Sequence, residues 1–330
     1  MRTKAAWVGV WWLVGSALAL SQGGSTPAAE PVAPNIPGVV AGGTKVETIQ
    51  TWEPGMGGEG PVGMPDGTVV FTQQGRHRLM KIDTNGALSV FLDLGMNQVL
   101  GLALDQKGRL LATHRGNPNG VVAVWPTRTV VAEQVDGKKF GRPNDIVADA
   151  KGGVYFSDNS GVREGQPPPD PNWASPGIYY INPSGQVMLV SKGRSDCPPT
   201  CTAVERPNGL QLSPDGTVLY AASGMVSYIS AWDVAPDGRL SKPRNFANLG
   251  PAPTGADGMA TDAAGRLYVA AKEVRVFNPQ GQLLGSIPTP KPASNLTFAG
   301  LRKRMLYVTS NQGGAYKIAM LAEGPTNRAK

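Results

Sequence analysis

The stretch Arg206-Pro207-Asn208-Gly209-Leu210-Gln211-Leu212-Ser213-Pro214-Asp215-Gly216-Thr217-Val218-Leu219-Tyr220 decides how this chain is read. It contains a short alternating run, an Asp-Gly pair and a second alternating run. Asp-Gly between such runs is a strong hairpin signal, because both central positions of a type I′ turn take positive φ, which these two residues tolerate. The unit recurs. Glu59 precedes Pro65-Asp66-Gly67, Leu100 precedes Gln106-Lys107-Gly108, and Asn144 precedes Ala150-Lys151-Gly152. Asp257 precedes Ala263-Ala264-Gly265, and a degenerate copy sets Asn295 before Leu301-Arg302-Lys303. In every copy the leading residue stands seven before the second turn residue. Six hairpins at intervals of about forty to sixty residues predict an all-β fold, a six-bladed β-propeller with one blade per copy. Thr44 to Thr51 alternates as a strand and is expected to complete the last blade beside the C-terminal strands, leaving no free edge.

The repeat also predicts where chemistry gathers. The innermost strands of a propeller line a central channel, so one register position in each blade faces one spot. That position reads Glu59, Leu100, Asn144, Asn208, Asp257, Asn295. Strands ordinarily deplete Asn and Asp, so five oxygen-bearing side chains at a single register need a cause. Oxygen donors converging from several blades are what a hard cation such as Ca2+ requires, and a central metal site is expected.

Arg2 and Lys4 precede an apolar run from Ala5 to Leu20, and Ala17-Leu18-Ala19 supplies small residues for cleavage. Residues 1–20 are therefore read as a signal peptide, too short for a comfortable membrane span. The mature protein is expected to be exported, periplasmic or secreted, without a stable span, and is read as a monomer or weak oligomer. Residues 21–43, rich in Pro, Gly and Ala, are read as a flexible linker, and 44–330 as the propeller. Forty-three Gly and twenty-nine Pro suit a turn-rich β-protein. The formal charge of +7 is scattered, Arg302-Lys303-Arg304 being the densest run. That run is read as a solvated turn, and no nucleic-acid-binding pattern accompanies it. With two cysteines in an exported chain, a local disulfide between Cys197 and Cys201 is the default reading. His114 is a candidate substrate contact if its strand turns it to the channel. The Pro-rich insertion from Asn159 to Pro176 is read as a loop walling the pocket.

Glu59-Gly60-Pro61, Arg142-Pro143-Asn144-Asp145, Pro207-Asn208-Gly209, Asp257-Gly258-Met259 and Ser294-Asn295-Leu296-Thr297-Phe298 resemble the successive blade openings of the gluconolactonase/regucalcin family of six-bladed propellers. The resemblance runs from about Glu59 to the C-terminus. It implies one catalytic divalent cation, usually Ca2+, with Zn2+, Mn2+ or Mg2+ as substitutes, and hydrolysis of a sugar lactone or related ester. By position it implies Glu59, Asn208 and Asp257 as metal ligands and Asp257 also as the acid/base group. Asn144 would sit beside them, on a coordinated water or the substrate, and Arg142 would contact substrate. Leu100 departs from the pattern, since many bacterial members carry Asn there. The alternative from another class is an exported binding scaffold, for a ligand or a protein, in which the cation only holds the blades together.

Overall fold

The computed structural model describes residues 30–160, 170–192 and 206–326. Among these residues there is no α-helix, and a single 3-10 turn, Gln74–Arg76, interrupts the strands. Six four-stranded antiparallel sheets are arranged as blades. Their innermost strands are Gly58–Gly63, Gln98–Leu104, Pro143–Ala148, Leu210–Leu212, Met259–Thr261 and Asn295–Ala299, and each packs against the innermost strand of the next blade around the ring. Five blades use four consecutive strands. The sixth takes three, and its outermost strand is Val46–Thr51, paired antiparallel with Gly314–Ala319. The strand expected at Thr44 to Thr51 thus closes the ring.

Between blades lie apolar layers of the inward residues of adjoining sheets. Phe140, Phe156 and Tyr179 form one aromatic knot, with ring centroids 4.9 to 5.3 Å apart, and Tyr155 packs on Tyr180 at 4.5 Å. Flat rings suit this gap because they bury large area between two pleated surfaces.

The turns have a different chemistry from the one expected. At Asp215-Gly216 only the glycine has positive φ, at 74°. The Gly216 N–H is donated to the Ser213 carbonyl and the Ser213 N–H to the Val218 carbonyl. This is a type I turn closed by a left-handed glycine, with a bulge that matches the strand twist. Several of these turns are held by a carboxylate at their first residue instead. Asp105 accepts the Lys107 and Arg109 N–H groups at 2.9 and 2.8 Å. Asp149 does the same for Lys151 and Gly153, and Asp262 for Ala264 and Arg266. Both positive φ values of a type I′ turn occur together at Asp136-Gly137, in a small hairpin outside the repeat.

One further expectation needs correction. Residues 30–43 are not a loose linker. Ile36 to Val40 form a tight turn, and the Val39 carbonyl accepts the N–H groups of Leu321 and Ala322. Ala33, Ile36, Val39 and Val40 are buried in the layer between blades five and six. The segment binds because four apolar side chains outweigh its Pro and Gly content. The Arg302-Lys303-Arg304 run is the exposed turn expected, and it also touches the end of the described chain: Lys303 Nζ donates to the Pro325 carbonyl, and Arg304 pairs with Glu323. The signal peptide and both cysteines lie outside the described residues.

Ile36→Ala should lower the unfolding free energy by about 2–4 kcal/mol, the range for truncating a buried aliphatic side chain. Urea denaturation measures it; a loss below about 0.5 kcal/mol would return the segment to a surface linker.

Candidate active site

The inner strands begin at one end of the channel, opposite the hairpin turns, and there a cavity of about 340 Å3 opens. Five of the six ring residues line it: Glu59, Leu100, Asn144, Asn208 and Asp257. In blades one, two and three the ladder slips just after the ring residue, between Glu59 and Val62, Val99 and Leu102, and Pro143 and Ile146. Bulges of this kind re-aim side chains at the rims of sheets. The preceding blade supplies donors to the carbonyls of the ring residues: Thr72 Oγ1 donates to the Leu100 carbonyl, Thr113 Oγ1 to that of Asn144 and, in blade four where the ladder does not slip, Ser157 Oγ to that of Asn208.

A glycine follows the ring residue in four blades, as Gly60, Gly101, Gly209 and Gly258. At Gly209 a Cβ would stand 2.0 Å from the Asp257 carbonyl oxygen, and at Gly258 one would stand 2.1 Å from Asn295 Cγ. The neighbouring blade occupies that space. In the third blade Asp145 follows the ring residue, and its Oδ2 accepts the Leu210 N–H of the next blade at 2.8 Å.

Asn295, the sixth ring residue, is buried beneath the cavity. Its Nδ2–H is donated to Glu59 Oε2 at 3.2 Å and its Oδ1 accepts its neighbour's N–H from Leu296. Asn295 therefore orients Glu59, and its Asn-Leu-Thr context offers no accessible glycosylation acceptor, at 2% exposure. Glu59 also accepts the Gly60 N–H at 2.9 Å. Burial raises the Glu59 pKa above the ordinary carboxylate range; the Gly60 and Asn295 bonds oppose this and the charge of Asp145 adds to it. A buried carboxylate in that condition is stabilised by a cation beside it.

Asn144 and Asn208 have their backbone carbonyls bonded as described, while their side-chain amides have no hydrogen-bond partner among the described residues. Two carboxylates and neutral amides facing one cavity form a donor set for a hard divalent cation. Among the described residues no three His, Cys, Asp or Glu side chains come together, so a thiolate or imidazole centre has no ligands there.

Arg142 lines the cavity as expected. Its position is fixed through the backbone: buried Asp158 accepts the N–H groups of Gly141, Arg142 and Ser160. His114 does not line the cavity. It is buried in the second strand of blade two and donates Nδ1–H to the Pro118 carbonyl, and burial lowers its pKa. Successive strand residues face opposite ways, and it is the next residue, Arg115, that reaches the cavity. Arg206, Asn159 and Met225 are further lining residues that the sequence did not single out. Asn159 opens the insertion expected to wall the pocket; residues 161–169 of that insertion lie outside the described residues.

Comparison with known proteins agrees with the propeller fold and with the family resemblance. The family described as the SMP-30/Gluconolactonase/LRE-like region matches residues 57–312. A gluconolactonase of Zymomonas mobilis is 26% identical over 77% of this chain and 76% of its own length. An L-arabinolactonase of Azospirillum brasilense is 30% identical over 56% of this chain and 57% of its own. Among solved structures, a gluconolactonase of Xanthomonas campestris superposes with a TM-score of 0.73 at 26% identity, covering 89% of this chain and 96% of that one. A calcium-binding protein, regucalcin, of Agrobacterium tumefaciens shares the fold with a TM-score of 0.66 at 18% identity, over 85% and 95% of the two chains.

Gly258→Ala should push Asn295 away from Glu59 and cost about 1–3 kcal/mol, as overpacking does. A thermal melt checks it: an unchanged midpoint would mean that the blades can separate there without cost.

Proposed function

We propose that this chain, which belongs to the SMP-30/gluconolactonase/LRE-like family, hydrolyses a sugar lactone or related ester with the help of a divalent cation, Ca2+ first among the candidates. One observation carries the reading: Glu59, Asn144, Asn208 and Asp257, from four separate blades, line a single cavity. The names of the relatives, a gluconolactonase and an arabinolactonase, support a lactone as the substrate class.

Glu59, Asn208 and Asp257 would hold the cation, with Asn144 beside them. When bound, the cation supplies a Lewis acid that polarises the ester carbonyl and stabilises charge on its oxygen. The remaining steps belong to the side chains. Asp257 takes a proton from the attacking water onto a carboxylate oxygen, the water oxygen bonds to the carbonyl carbon, and the ring C–O bond breaks. Asp257 then returns the proton to the departing ring oxygen, giving the open hydroxy acid. Arg142 donates hydrogen bonds to substrate oxygens and orients the ring. Asn295 keeps Glu59 turned to the cavity, and Asp158 keeps the Arg142 backbone in place.

The reading extends to location. The basic start and apolar run of residues 1–20 direct the protein out of the cytoplasm, to the periplasm or medium, where Cys197 and Cys201 would be oxidised to a disulfide. Intact mass of the exported protein tests both: roughly the first twenty residues should be missing, and alkylation should find no free thiol without reductant.

Lactone hydrolysis followed by proton release tests the activity, on metal-stripped protein reloaded with Ca2+, Mn2+, Mg2+ or Zn2+. Turnover should require metal and fall about 10^2- to 10^4-fold in Asp257→Asn. Saturating Ca2+ should raise the melting temperature of the wild type, equivalent to about 2.7 kcal/mol at a hundred times its Kd, and should do so far less in Glu59→Gln. Stabilisation by Ca2+ with no hydrolysis of any lactone or ester would leave the binding scaffold with a structural cation.

A further inference from the structure

Among the described residues, three arginines, Arg115, Arg142 and Arg206, line the cavity beside the two acids Glu59 and Asp257. On the reading above, both carboxylates face the cation and cannot also serve the arginines. Of the neighbouring acids, Asp158 is taken up by three backbone N–H groups, and Asp145 accepts the Leu210 N–H with one of its oxygens. Among the described residues neither Arg142 nor Arg206 makes an ion pair or a side-chain hydrogen bond.

The three arginines come from separate elements. Arg115 ends the second strand of blade two, Arg142 immediately precedes the inner strand of blade three, and Arg206 leads into blade four. Arg115 is tied to its neighbour, donating Nε–H to the Pro143 carbonyl at 2.9 Å. All three are half-buried, where water screens charge less than at an open surface. Hydroxyl groups of a neutral sugar ring are adequately met by an amide such as that of Asn144. A guanidinium fork instead matches the paired oxygens of a carboxylate or phosphate.

The geometry points to a substrate that carries its own oxyanion: a sugar lactone bearing a carboxylate or phosphate group, held by Arg115, Arg142 and Arg206 beside the proposed cation site. The lactone part of this inference rests on the hydrolysis proposed above; the anion part rests only on the proposed cation site, which takes up Glu59 and Asp257. Hydrolysis adds water across the ring ester. The water oxygen bonds to the carbonyl carbon, the ring C–O bond breaks, the proton passes to the ring oxygen, and the product is a hydroxy acid with two anionic groups.

The test has two arms. In the first, kcat/KM is measured on Ca2+-loaded protein for a neutral lactone (D-glucono-1,5-lactone), a carboxylate-bearing one (D-glucaro-1,4-lactone) and a phosphate-bearing one (6-phospho-D-gluconolactone). At least one anionic lactone should be favoured about tenfold or more, the scale of one charge-assisted hydrogen bond. The preference should shrink at high salt and fall by about tenfold in Arg206→Gln and in Arg115→Gln, each checked for folding by its melt. Which anionic lactone leads distinguishes carboxylate from phosphate. In the second arm, calorimetry compares binding of sorbitol, glucarate and 6-phosphogluconate, with no turnover needed. Tighter binding of the anions, weakened in Arg206→Gln, supports the anion site even if no lactone is hydrolysed, in which case the lactonase reading alone falls. Equal kcat/KM on neutral and anionic lactones, or anion binding indifferent to both substitutions, overturns the proposal.

Discussion

Six inner strands must begin around one axis, and the lack of room there governs the rest of the molecule. Each strand start brings a side chain, a carbonyl and an N–H group into a space shared with two neighbours. Glycine after the ring residue removes the side chain that would collide, as Gly209 does against Asp257 and Gly258 against Asn295. Hydroxyls one strand out, on Thr72, Thr113 and Ser157, satisfy the carbonyls of ring residues in the next blade. A buried backbone carbonyl without a partner is costly, so these bonds are conditions for blade contact. They also rigidify the wall from which the functional side chains project.

The same crowding shapes the electrostatics. Glu59 is nearly enclosed, and it stays oriented because Asn295 and the Gly60 N–H both address one of its oxygens. Asp145 lies near enough to raise its proton affinity. Two acids this close in a dry channel destabilise each other unless positive charge is added. The amides of Asn144 and Asn208 contribute dipoles without charge, so a divalent cation held there with Glu59 and Asp257 would be balanced and not over-neutralised, which leaves it able to polarise a carbonyl. The arginines lie around this acidic centre, so the cavity presents two fields to an incoming molecule.

Much of this was legible in the chain because a repeat compares a protein with itself. Glu59, Asn144, Asn208 and Asp257 stand out as polar residues at one register of six hairpins, and that register does converge. Asn295 was equally visible, but its role beneath Glu59 was not, since that depends on which ring residues contact one another across blades. His114 and Arg115 show the limit of strand reading. They are adjacent, both polar, and alternation assigns one to the cavity and one to the interior, but fixing which needs the register across a bulge. Residues 30–43 have the composition of a linker, but Ile36, Val39 and Val40 are apolar enough to dock. The hairpin turns were located correctly from Asp-Gly, but their geometry depends on the acid two or three residues earlier, as at Asp105 and Asp262, and on a single left-handed glycine.

The closing strand has a consequence for the order of events during synthesis. Val46–Thr51 pairs with Gly314–Ala319, and Val39 receives the N–H groups of Leu321 and Ala322. The strand at residues 46–51 therefore waits for residues 314–322 to be made. Until then blades one to five can form hairpin by hairpin, but the ring is an open arc with two exposed sheet faces. Completion is a single long-range event, slow by topology. It brings Glu59, on the first blade, against Asn295, on the last. The cavity's most buried acid acquires its orienting partner only at that moment, so a chain that has not closed is also one whose site has not assembled.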